Sequence, residues 1–142
     1  MSTSPSDSPS PNAIATYDVH VQTSDLASNI ASNAESDPFP RVLATSRLIA
    51  FMEIAAARLL QPCLKPNQLS VGTRVNISHS APTPVGSKVI AEAKFIGKEK
   101  KIFLFEVTAR DESGEIGRGT HERAIVDVAR LEEAAKKRSG LD

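Results

Sequence analysis

The sequence predicts an α+β domain in which an antiparallel sheet wraps around one long helix. Three observations predict it. Residues Thr45 to Leu60 (TSRLIAFMEIAAARLL) are rich in Leu, Ala, Met and Ile, with no Gly or Pro until Pro62, which is the composition of a good helix. Four extended segments follow, separated by short turn-forming stretches, as in a meander of antiparallel strands. In one of them, Ile102-Phe-Leu-Phe105, both pleat faces are apolar, so that strand is expected to be covered on both sides. The sheet must bury one face on the only long helix available, and wrapping around it is the economical solution.

The elements follow in order. Residues 1–13 (MSTSPSDSPSPNA) have almost no apolar surface to bury, so they are expected to form a disordered tail. Tyr17 to Val21 alternates as a short strand. Residues 23–41 are polar, with Pro38 and Pro40, and read as a loop or lid. The helix then begins, with Thr45 or Ser46 as the expected N-cap because a hydroxyl there accepts a free backbone N–H. Pro62 stops it. Ser70 to His79 alternates as a strand; Val89 to Ile96 and Ile102 to Ala109 form a hairpin around Gly97-Lys-Glu-Lys100; Glu115 to Val126 follows the turn Asp111-Glu-Ser-Gly114. Val128 to Arg138 reads as a charged terminal helix. The folded domain is thus residues 14–128, followed by a charged tail over 129–142.

Length and charge narrow the function classes. The 142 residues fit one domain. Seventeen basic residues balance seventeen acidic ones, which gives no electrostatic footprint for nucleic acid or an anionic membrane. No apolar run approaches the roughly 20 residues of a membrane span, and the first residues lack the basic start and apolar stretch of a secretory signal. The single Cys63 excludes an internal disulfide and fits a reducing compartment. A cytoplasmic protein is expected. The three histidines, at 20, 79 and 121, are dispersed and show no metal-ligand spacing, so neither metal nor cofactor is expected.

Chemistry is suggested by three side chains. Glu53 is the only acidic residue of the 45–60 helix, and its neighbours at helical spacing are Ile49, Ala50, Ala56 and Ala57. A carboxylate on or beside that apolar stripe needs a partner or a task, unless it lies at the edge and reaches water. His79 closes the 70–79 strand on the face of Val75 and Ile77, either as a satisfied core histidine or as a proton-transfer group. Thr45 places a hydroxyl at the helix start, where developing negative charge is favoured. A hydroxyl, a carboxylate and an imidazole are the set used for acyl transfer. Spacing alone does not discriminate further.

The stretches Val42-Leu-Ala-Thr45 with Glu53, Ser70-Val-Gly-Thr-Arg-Val with Ser78-His79-Ser-Ala-Pro-Thr-Pro-Val-Gly86, and Gly117-Arg-Gly-Thr-His-Glu-Arg123 resemble the fluoroacetyl-CoA thioesterase family of the hotdog superfamily. The likeness covers roughly residues 38–128. It implies a hotdog fold, a homodimer paired edge to edge, and acyl-CoA bound near the dimer seam. It also implies that Thr45, Glu53 and His79 are catalytic, that the Gly72 backbone lies against the thioester, and that Arg123 binds substrate. A glycine lets a backbone approach a ligand, and Arg123 is a permanent cation able to pair with a phosphate of coenzyme A. His121 shares the pleat face of Arg123, and its role is left open. The loop 23–41 departs from the family pattern: Phe39, taken as a substrate-binding residue, is its only aromatic side chain. The acyl group is therefore unassigned. The expected function is hydrolysis of a small acyl-CoA thioester to free acid and coenzyme A. The alternative is a non-catalytic hotdog module that binds acyl-CoA or a protein partner, with Glu53 and His79 kept as a buried hydrogen-bonded pair.

Overall fold

The structure, a computed structural model, describes residues 7–140. Strand β1 (Ile14–His20) leads through a loop with two short 3-10 turns to helix α1 (Thr45–Leu60). Strands β2 (Gln68–His79), β3 (Lys88–Glu99), β4 (Ile102–Asp111) and β5 (Gly114–Asp127) follow, then helix α2 (Val128–Arg138). All pairings are antiparallel, and the sheet order is β1-β3-β4-β5-β2. The expected α+β architecture is present: five strands curve around α1.

The core sits between that helix and the concave sheet face. Leu48, Phe51, Met52, Ala55, Ala56, Leu59 and Leu60 are buried on α1, an i, i+3, i+4 stripe. Each large side chain among them contributes on the order of 1.5–3 kcal/mol by leaving water. Opposite them lie alternate residues of the central strands, including Ala91, Ala93 and Phe95 of β3 and Phe103, Phe105 and Val107 of β4. The Phe95 ring packs against Phe103 at 6.3 Å and edge-on against Phe105 at 5.9 Å. The other face of β4, carrying Ile102 and Leu104, is half-buried, so the helix covers one of its two apolar faces.

Three local expectations change. The N-cap of α1 is Ala44, in extended conformation and without a side-chain cap. Thr45 and Ser46 do not fill that role, because Thr45 is already the first helical residue and its hydroxyl is turned to another strand. The β3–β4 hairpin is tighter than a Gly97–Lys100 turn: Glu99 pairs with Ile102, leaving Lys100-Lys101 as the loop, with Lys100 at φ 57°. A two-residue loop with positive φ matches the right-handed twist of the strands, and Gly97 instead lies at a register shift within β3. Of the tail expected over 1–13, residues 1–6 lie outside the described residues. The Asn12 N–H donates to the Phe95 carbonyl at 3.2 Å, so contact with the sheet begins before Ile14.

One glycine sets how closely helix and sheet approach. A Cβ on Gly117 would stand 2.8 Å from the Ser78 carbonyl and 2.9 Å from Leu48 Cδ2. Gly117 pairs with His79, so its bareness lets the first turn of α1 settle against the end of β2.

Candidate active site

That contact builds the first of two polar clusters. Thr45 Oγ1 lies 2.8 Å from His79 Nδ1, joining the start of α1 to the end of β2. The helix start carries N–H groups with no intrahelical partner and the positive end of the helix dipole. His79 Nε2 is buried and has no hydrogen-bond partner among the described residues. Leaving such an atom unmet costs about 1–3 kcal/mol, and it marks a place where a hydrogen-bonding group would be held. Beside the pair opens a cleft of about 400 Å³, lined by Phe39, Val42, Leu43, Thr45, His79 and Pro82 among others. Phe39 is 53% exposed at its rim.

The loop that forms this rim is fastened by a residue that sequence reading missed. Asp25 is 2% exposed. Its carboxylate accepts the Gln22 N–H at 2.8 Å and Arg47 Nε at 2.8 Å, and its carbonyl accepts the Ala44 N–H at 2.9 Å. The loop is thereby tied to the first turn of α1. An aspartate in a polar loop gives no sign in the sequence that it is buried.

The second cluster surrounds Glu53, two turns further along α1. Arg123 on β5 donates from Nη1 to Glu53 Oε2 at 2.9 Å. The Glu53 side chain is 39% exposed and that of Arg123 only 7%. The other donors of Arg123 are also engaged: Nε reaches Ser70 Oγ at 3.0 Å and Nη2 the Ser70 carbonyl at 3.0 Å. The guanidinium is enclosed, and with its contact to His121 Nε2 four of its five N–H groups are engaged, so it holds Glu53 from inside and one N–H remains for a phosphate. Gly72 completes the cluster at a register shift in β2. A Cβ there would lie 2.6 Å from Glu53 Oε2 and 3.1 Å from His121 Cε1, so any larger residue would displace the carboxylate. His121 donates from Nδ1 to the Arg74 carbonyl at 2.8 Å and faces Arg123 Nη1 with Nε2 at 3.1 Å. Burial first, and then the Arg123 charge, lower the pKa of its ring below the ordinary 6.5, against the opposing effect of the Arg74 hydrogen bond.

The structure thus brings Thr45 and His79 together, and Glu53, Gly72 and Arg123 together. It does not pair Glu53 with His79. Eight residues of helix separate Thr45 from Glu53, about 12 Å at 1.5 Å per residue. Seven residues of β2 separate Gly72 from His79, about 23 Å. The expected trio is two half-constellations in one chain, at opposite ends of one strand.

Comparison with known proteins identifies the family and the fold. The family model for fluoroacetyl-CoA-specific thioesterases matches residues 21–129. A curated fluoroacetyl-CoA thioesterase of Streptantibioticus cattleyicolor is 35% identical over 101 residues, covering 71% of this chain and 73% of the relative. Among solved structures, a fluoroacetyl-CoA thioesterase variant in complex with fluoroacetate superposes with a TM-score of 0.85 at 29% identity, covering 90% of this chain and 97% of that one. A hot-dog-like protein from Thermanaerovibrio acidaminovorans, 22% identical, gives a TM-score of 0.76 over 91% of this chain and 92% of that one, which speaks to the fold. The chain has a hotdog fold and belongs to the fluoroacetyl-CoA-specific thioesterase family.

Proposed function

We propose that the protein hydrolyses a small acyl-CoA thioester to the free acid and coenzyme A, as a homodimer whose active sites are shared between two chains. The observation that carries this reading is the half-exposed Glu53 carboxylate, fixed by a buried arginine beside a bare glycine backbone. A carboxylate so held is ready to take a proton from water without first reorganising.

The dimer supplies what one chain separates. β2 is the last strand of the sheet and pairs only with β5. Its outer edge is therefore open, with Leu69 and Val75 exposed. If two copies of β2 run antiparallel about a twofold axis near residues 75–76, position 72 of one falls opposite position 79 of the other. Each seam then holds Glu53, Gly72 and Arg123 of one chain facing Thr45 and His79 of its partner. An isologous pairing makes two such sites.

The reaction then balances simply. Glu53 takes a proton from water, and the hydroxide adds to the thioester carbonyl. The developing oxyanion is met by the Thr45–His79 pair and the free N–H groups at the start of α1. The C–S bond breaks, the leaving thiolate receives the proton that Glu53 took from water, and the products are a carboxylic acid and coenzyme A. Phe39, at the rim of the cleft, bounds the acyl group. The single thiol, Cys63, is free and buried, which fits a reducing compartment such as the cytosol.

The test is thiol release against a panel of acyl-CoA substrates, with sedimentation of the same sample. Turnover of short acyl chains by a dimer is expected. Affinity without turnover, or a lone 15.2 kDa species at micromolar concentration, would contradict the reading.

A further inference from the structure

We propose that His121, held as a neutral ring, is a positioning residue that aims Arg123 at Glu53. The inference rests on the reading of Glu53 given above and adds a residue to it. His121 is 2% exposed, and each of its nitrogens has one neighbour. Nδ1 faces a carbonyl, that of Arg74, which can only accept; this nitrogen must carry the proton. Nε2 faces the Arg123 guanidinium, which can only donate; this nitrogen must be bare. One tautomer satisfies both contacts. The imidazolium would set an N–H against an N–H and a cation against a cation.

The consequence runs through Arg123. Its Nη1 carries two hydrogens; one goes to Glu53 Oε2 and the other to His121 Nε2. With Ser70 holding Nε and Nη2, the fork is fixed at three corners, and Nη1 can present only one direction to Glu53. Without the His121 acceptor, that corner has a buried donor unmet, and the guanidinium is free to swing. The charged groups around the ring are Arg123 and Glu122 on β5 and Glu53 on α1; the Phe105 ring on β4 packs against it at 6.3 Å between centroids, and the bare Gly72 backbone of β2 lies beside it. Burial and then Arg123 favour the neutral form, and the Arg74 hydrogen bond and the two glutamates oppose them without reversing the balance.

Two measurements test this. The first needs no activity: nitrogen NMR of the full-length protein at neutral pH should show His121 as the neutral Nδ1–H tautomer. An imidazolium, or the Nε2–H tautomer, overturns the proposal. The second compares His121→Phe with His121→Gln. Phe fills the space but offers no acceptor, and kcat should fall by about 10-fold or more at nearly constant KM. Gln restores an acceptor toward Arg123, and kcat should return to within a few-fold of the parent. A Phe variant with parental kcat, or a Gln variant no better than Phe, overturns it. Glu53→Gln run alongside separates the layers: if it is inactive while His121→Phe is fully active, only the positioning role fails; if both are fully active, the reading of Glu53 fails with it. If the Phe variant does not fold, the NMR result on the parent protein decides.

Discussion

Glu53→Gln is expected to lower kcat by about 10²–10⁴, which is roughly 3–5 kcal/mol of barrier, while the fold persists. The substitution keeps the size of the side chain and an oxygen for Arg123 Nη1 to donate to. It removes the one property the reaction needs, a lone pair basic enough to accept a proton from water. Removal of Arg123 would act differently, leaving a carboxylate unpaired and a pocket empty behind it. The amide leaves the buried Arg123 charge without its anion, so some stability is lost, but the hydrogen bond is kept and Glu53 itself is 39% exposed. Circular dichroism should match the parent, with a lower thermal midpoint, while thiol release falls. A variant with parental kcat would show that Glu53 is structural.

His79→Ala should lower kcat by a comparable factor, about 10²–10³, for a different reason. Among the described residues the ring is the only hydrogen-bond partner of the Thr45 hydroxyl, at 2.8 Å, and its Nε2 is buried without a partner. Truncation removes the donor for the oxyanion or leaving sulfur and also frees the Thr45 rotamer. If the two side chains work as a unit, Thr45→Ala in the His79→Ala background should cost far less than Thr45→Ala alone. Additive losses in steady-state kinetics would mean that the 2.8 Å contact has no catalytic meaning.

The fold was legible because local pattern and tertiary need agree. The Gly- and Pro-free run from Thr45 to Leu60 is the observed α1, and the four later segments are the observed β2–β5 within a few residues. The misjudged positions share one cause. Thr45 has the chemistry of an N-cap, but a histidine 34 residues away claims its hydroxyl. Glu53 reads as a carboxylate in need of a partner, yet that partner, Arg123, lies 70 residues on, beyond the reach of helical spacing. Nothing in helical or strand periodicity encodes which strand curls over which turn. Asp25 shows the same limit: burial of a loop carboxylate depends on Arg47 and the Gln22 N–H coming to it. His121 was visible as a neighbour of Arg123 on one pleat face, but its tautomer follows from the Arg74 carbonyl across a β-bulge. The separation of Thr45 from Glu53 is the exception, since eight residues on one helix fix it by rise alone.

The sharing of the site between chains is tested most directly by mixing two crippled variants. Glu53→Gln and His79→Ala are co-folded in equal amounts so that subunits pair at random. Half the dimers then carry one of each, and in every mixed dimer one seam combines an intact Glu53 with an intact His79. Thiol release should recover to roughly a quarter of the parent rate per chain, far above either variant alone. If the mixture is no more active than the average of the two variants, both groups act within a single chain, and the composite site is wrong.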